Sequence, residues 1–257
     1  MERTTLKTIL DQLFKPEIAY EWDNVGLQVG GLNNITNILV TLDVTLDVVN
    51  EAITNNCNLI VAHHPLLFKP QKKVLNNTPL GAIVHALIKN DIALYIAHTN
   101  FDLLPNGMNT TLANLLHLNN QTVLDPIEET HGIGVIGTID KALPVLDVIE
   151  EVKDAFNLPS VMYVGDTDKA IKTVAIVGGS GSSFIDLAHQ KSADLFITGD
   201  VTYHHALEAK ALGLALLNVN HNIEQYGVVQ MERMLIDALP EHTIILSQID
   251  TNPYKNL

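Results

Sequence analysis

Two hydrophobic rhythms alternate along this chain. In some stretches apolar residues fall three and four apart, and in short runs between them nearly every position is apolar. The first spacing belongs to an amphipathic helix and the second to a strand buried on both faces, so the alternation predicts an α/β fold with mostly parallel sheets. Leu6, Ile9, Leu10, Leu13 and Phe14 predict an opening helix over 5–14, capped by Thr4 or Thr5 and closed by Lys15-Pro16. Strands are expected over 37–43 and 57–62, with a helix over 46–55 between them. After a loop from Pro65 to Thr78, the pattern gives a helix over 79–90, a strand over 91–97 and a helix over 107–118.

The last third repeats this outline. A strand over 173–177 leads through Gly178-Gly179-Ser180-Gly181 into a helix, and strands over 194–198 and 214–219 flank a helix over 201–212. A helix over 225–239 and a strand over 243–246 finish the chain. The strand-to-strand step takes about 35 residues in the first copy and about 21 in the second, the excess being the loop after Pro65. Two pseudo-repeated α/β halves are therefore expected, 1–124 and 172–257, packed together and joined by a connecting layer at 125–171.

Composition narrows the function. Fifteen basic against 29 acidic residues give a formal charge of −14, which repels a phosphate backbone and argues against nucleic acid as a partner. No apolar run is long enough to span a membrane, and Met1-Glu2-Arg3-Thr4 lacks a secretory layout, which points to a cytoplasmic protein without a membrane partner. The one cysteine, Cys57, sits in an apolar strand and reads as a packing residue, so a thiolate metal site is not expected.

Chemistry concentrates where strands stop. The run Leu59-Ile60-Val61-Ala62 ends at His63-His64-Pro65, and the strand over 91–97 ends at His98-Thr99-Asn100-Phe101-Asp102. In the second copy the matching points are Gly199-Asp200 and Asn220-His221-Asn222-Ile223-Glu224. Ligands of open α/β sheets gather beyond the carboxyl ends of strands, which places His63, His64, Asp102, His221 and Glu224 on one edge. Three imidazoles and two carboxylates suit two divalent metal ions bridged by a carboxylate, and nitrogen and oxygen donors admit zinc, iron or manganese. Two ions about 3.5–4 Å apart would share a water and lower its pKa, which points to hydrolysis.

His98 occupies the position matching His221, so it is either a further ligand or a supporting group. His98 and His204 are the candidates for moving protons, and Asp43, Asn100 and Asp200 for orienting the ligands. The Gly178–Gly181 turn reads as a tight turn, with a phosphate site as the alternative. Glu21 to Gly30, with the sole tryptophan, Trp22, beside Asp23-Asn24, reads as a turn before a strand or as the lining of a ligand pocket.

These residues carry a resemblance. The stretches 21–30, 61–68, 97–102, 198–213 and 221–224 are similar to those of the GTP cyclohydrolase 1 type 2 homologue family, the dinuclear-metal-centre hexameric proteins. The resemblance implies two related α/β halves with two metal ions between them, held by His63, His64, Asp102, His221 and Glu224, in a toroidal homohexamer. The chain departs from the family in Gly132 to Gly137, where Val135 and Ile136 stand without the arginine often found there. It also has no room for the large middle domain that some members carry. A metal-dependent hydrolase of the GTP cyclohydrolase type is the first expectation, with metal hydroxide attacking C8 of a purine ring and formate leaving, and with GTP as the candidate small-molecule substrate. A non-enzymatic, metal-binding regulatory or metal-handling ring is the second.

Overall fold

The computed structural model describes residues 3–30, 35–129 and 131–255; Met1 and Glu2 lie outside them, and side chains are described from residue 6. The chain forms two compact units. The first comprises residues 1–101 and 228–253, the second 102–227 and 254–257.

In the first unit, α1 (Arg3–Phe14) precedes β1 (Gly26–Val29), β2 (Asn37–Thr41), α2 (Leu46–Thr54), β3 (Leu59–Ala62), α3 (Pro79–Lys89) and β4 (Ala93–Ile96). Thr4 and Thr5 thus lie inside the first turn of α1 rather than ahead of it. Thr45 caps α2 by accepting from the Val48 N–H, and Thr78 caps α3 by accepting from Gly81, with Pro79 in the first turn. The sheet runs β1-β4-β3-β2-β11, where β11 is Thr243–Leu246. β2, β3, β4 and β11 are parallel and β1 is antiparallel to β4. Helices cover both faces, which is why β3 and β4 are buried at every position. Ile60, Ala62, Leu94 and Ile96 pack with Val48, Val49, Ala52 and Leu87 of α2 and α3. Tyr95, on the opposite face, lies 6.1 Å from the Phe14 ring and donates its hydroxyl to Asp11.

The boundary between the units falls inside α4 (Thr99–Leu103). The second unit continues with α5 (Met108–Leu115), β5 (Asn119–Glu128), β6 (His131–Pro144), α6 (Val145–Ala155), β7 (Met162–Val164), β8 (Ala170–Ile176), α7 (Ile185–Gln190), β9 (Leu195–Thr198), α8 (Tyr203–Leu212) and β10 (Ala215–Asn218). The chain returns to the first unit through α9 (Gln225–Ala238). The second sheet runs β5-β6-β8-β9-β10-β7. Only β8, β9 and β10 are mutually parallel; β5, β6 and β7 pair antiparallel, so this sheet is mixed rather than mostly parallel.

The boundaries therefore differ from those read in the sequence. Residues 125–171 supply strands of the second sheet instead of a separate layer, and β11 crosses back to pair with β2. The cause is long-range pairing, which local periodicity does not report. The repeat itself reaches one strand further than expected, since in each sheet the run of parallel strands is flanked by an antiparallel edge strand, β1 beside β4 and β7 beside β10. No helix among the described residues is long and apolar enough to cross a membrane.

Candidate metal centre

His63 and His64 leave the end of β3, and His98 follows β4. His63 is fully buried, and its Nδ1 lies 2.8 Å from the Ala97 carbonyl oxygen. Nδ1 of His64 lies 2.7 Å from Asp43 Oδ1, and Nδ1 of His98 lies 2.9 Å from Asp23 Oδ2. Carbonyl and carboxylate oxygens only accept, so each Nδ1 carries a proton and donates. Metal-binding histidines are held in this way. One ligand atom from each of His63, His64 and His98 lies within 4.8 Å of the others, which gives His98 the reach of a ligand as well as of a proton carrier.

Asp23 is the anchor of this group. Its side chain is wholly covered, and Thr99 donates to it through both its N–H (3.1 Å) and its hydroxyl (2.6 Å). Burial by itself would push the carboxyl up, but the hydrogen bonds from His98 and Thr99, the His98 charge and the Asn24 N–H hold it down at about 2. Asn100, also buried, accepts from the His98 N–H and donates to the Phe14 carbonyl, so it fixes the turn after β4 and makes no contact of its own with an imidazole nitrogen. Asp43 receives a second donor, the Thr251 hydroxyl at 2.6 Å.

The second unit repeats the device. Nδ1 of His221 lies 2.7 Å from Asp200 Oδ2, and its Nε2 is 3.1 Å from Glu224 Oε2, so a carboxylate faces each ring nitrogen. A carboxylate oxygen of Asp102 lies within 4.8 Å of one from Glu224. Strand register corrects the alignment of the two copies by one residue. Ala62 faces Ile96 and Thr198 faces Asn218, so His98 corresponds to Asn220, and Thr99 to His221. Both strands are then followed by a helical turn whose fourth residue is an acid, Asp102 in α4 and Glu224 in the 3-10 turn His221–Glu224.

Glycines make room for Glu224. A Cβ on Gly179, whose φ is +59°, would stand 2.5 Å from Glu224 Oε1, and one on Gly199 would stand 2.6 Å from the Gly179 carbonyl oxygen and 3.1 Å from His221 Cα. The Gly178–Gly181 turn therefore houses a carboxylate, which disfavours an anion in the same place. Asn109 ties this turn to α4, accepting from the Gly178 N–H and donating to the Asp102 carbonyl. His204 lies elsewhere in character: it is exposed in the first turn of α8, with its ring edge-on to Tyr203, and belongs to no donor group among the described residues. A cavity of about 650 Å³ in the second unit is lined by Leu115, Leu118, Ile139, Leu143 and Val152, and none of the candidate ligands borders it. Donor geometry, not cavity size, locates the site.

Asp23, Asn109 and Thr251 are the site residues that sequence reasoning did not assign. The Asp23-Asn24 pair beside Trp22 was a usable signal, whereas Thr251 reaches Asp43 across 208 positions and has none.

A family model described as Duf34/NIF3 (NGG1p interacting factor 3) matches residues 1–253. A Clostridium perfringens protein named GTP cyclohydrolase 1 type 2 homolog is 38% identical over 232 residues, covering 89% of this chain and 88% of its own. Among solved structures, a Bacillus cereus protein related to NIF3 superposes with a TM-score of 0.96 at 26% identity, covering 99% of this chain and 98% of the other. A Staphylococcus aureus hypothetical protein gives a TM-score of 0.95 at 33% identity, with 100% and 99% covered.

Proposed function

Since the chain belongs to the Duf34/NIF3 family, and its relatives carry the name GTP cyclohydrolase 1 type 2 homolog, we propose that it is a metal-dependent hydrolase acting on a small molecule. The donors His63, His64, Asp102, His221 and Glu224 would hold two divalent ions. The observation that carries this reading is the repeated pinning of Nδ1, by Ala97, Asp43, Asp23 and Asp200, which orients four imidazoles in the way metal-binding histidines are held.

The residues fit such ions by chemistry. Imidazole nitrogen and carboxylate oxygen suit zinc, iron or manganese. When bound, the ions supply Lewis acidity and an activated water. The protein's own groups then have separable tasks. Asp43 and Asp200 fix the ring planes of His64 and His221. Glu224, seated on Gly178 and Gly179, keeps its carboxylate in a covered position. His98, steadied by Asp23 and Thr99, would hold or pass a proton at Nε2, as the departing nitrogen of an opened ring requires. A homohexamer remains part of this reading on the family's pattern, and a cytoplasmic setting on the reading of the sequence.

The triphosphate of GTP is the point of tension. The glycine turn that could cradle a phosphate is filled by Glu224, and the chain carries a net charge of −14. This favours recognition of the ring over recognition of the phosphates, and it is the observation behind the second reading, a metal-binding regulatory or metal-handling protein with no turnover. Metal-loaded protein incubated with GTP, guanosine and a panel of phosphoester and C–N substrates, with formate, phosphate and ammonia followed, separates the two. Turnover that disappears in a His64→Ala variant supports the hydrolase; stoichiometric metal with no turnover on any substrate replaces it with the second reading.

A further inference from the structure

Two large aromatic side chains are left on show beside the histidines of the first unit. Trp22 is 59% exposed and Phe68 44%. Burial of rings of this size is favourable, so their exposure needs a cause. They are not loosely placed. Tyr20 stacks on one face of the indole at 5.5 Å and 17°. Trp22 and Phe68 meet at 6.0 Å and 78°, Trp22 and His98 at 6.4 Å and 77°, and Phe68 and His98 at 6.4 Å and 89°. Three rings thus stand nearly at right angles to one another, like the faces of a corner, and His98 is one of them.

Hydrogen bonds tie the two segments that carry this corner. Gln28 accepts from the Leu67 N–H at 2.8 Å and donates to the Asn24 carbonyl at 2.7 Å, and Asn24 donates to the Leu67 carbonyl. Asp23, between Trp22 and Asn24 in the same turn, grips His98. One turn therefore sets the indole, the phenyl ring and the imidazole together, ahead of any ligand. Preorganised aromatic faces of this kind bind planar rings by stacking, which every nucleobase can supply through its π-face.

We propose that Trp22 and Phe68 form the seat of a planar heteroaromatic ring of the purine type, held beside the His63, His64 and His98 cluster. The inference deepens the hydrolase reading and rests on it for the ring being that of a substrate. It also accounts for how an acidic chain recognises its ligand without a phosphate cradle.

Trp22 is the only tryptophan, so its emission reports on the seat alone. The test titrates guanosine and adenosine, with ribose 5-phosphate as the ring-free control, into the full chain both metal-stripped and metal-loaded. Saturable quenching by the two nucleosides and none by ribose 5-phosphate is expected, in the metal-stripped protein as well. Base stacking is worth about 1–3 kcal/mol, so Phe68→Leu should weaken binding about tenfold or more while Phe68→Tyr retains it. Emission indifferent to both nucleosides, equal quenching by ribose 5-phosphate, or Phe68→Leu binding as well as the parent would each overturn the proposal. Quenching in a protein that takes up no zinc, iron or manganese when these are supplied would keep the seat and discard the hydrolase reading.

Discussion

Asp23 Oδ2 lies 2.9 Å from Nδ1 of His98, and the same oxygen accepts from both donors of Thr99. This carboxyl is held at about 2 against an ordinary 3.8. Between these values the unfolded chain binds the proton more readily than the folded one, so stability falls as pH falls. The contribution is complete above about pH 4 and disappears as pH passes down through about 2. In metal-free protein, denaturant titrations should show roughly 1–2 kcal/mol of acid sensitivity in this window that is missing from Asp23→Asn. An unchanged acid profile in the variant would remove Asp23 from this role.

Asp43 and Asp200 each stand 2.7 Å from the Nδ1 of a candidate ligand, His64 and His221. Loss of such a partner typically costs 10–100-fold in metal affinity. Asp43→Asn and Asp200→Asn should both weaken zinc or manganese binding, followed by calorimetry, by about that factor. His204→Ala should leave it unaltered, because that ring stands in the solvent at the start of α8.

Gly179 combines a left-handed backbone with contact to Glu224. Gly179→Ala should cost about 1–2 kcal/mol from the backbone conformation alone, and the added carbon must also displace Glu224. Thermal unfolding and metal titration on the same variant check both effects. A gain in stability with full metal affinity would show that the glycine is not there for Glu224.

Cys57 is buried, and its thiol is pushed up to about 11 by that burial and by the negative charge of Glu51. The thiolate is the reactive form. Labelling by a disulfide reagent at neutral pH should therefore be slow in the folded protein and become fast in denaturant. Prompt labelling of the native chain would contradict the packing role.

Much of this architecture was legible because burial on both faces writes itself into β3 and β4 as unbroken apolar runs, and because His63, His64 and His98 stand where those runs stop. α2, α3 and β11 were readable within a residue for the same reason, helped by Thr45, Thr78 and Pro79. β5 was not: Asn119 to Glu128 is an edge strand with polar positions and Pro126, and its place is set by pairing with β6. The turn at Asp23 looked ordinary because its partners, His98 and Thr99, lie 75 and 76 residues away. The equivalence of Asp102 and Glu224 needed strand register, which shifts the sequence alignment of the two copies by one.

Metal content tests the central claim most directly. Elemental analysis of the purified chain, beside a His63→Ala, Glu224→Ala double variant shown to be folded by its protected Cys57, should find two ions per chain in the parent and their loss in the variant. A parent that binds no stoichiometric metal when zinc, iron or manganese is supplied, or a double variant that binds as many ions as the parent, would contradict the account.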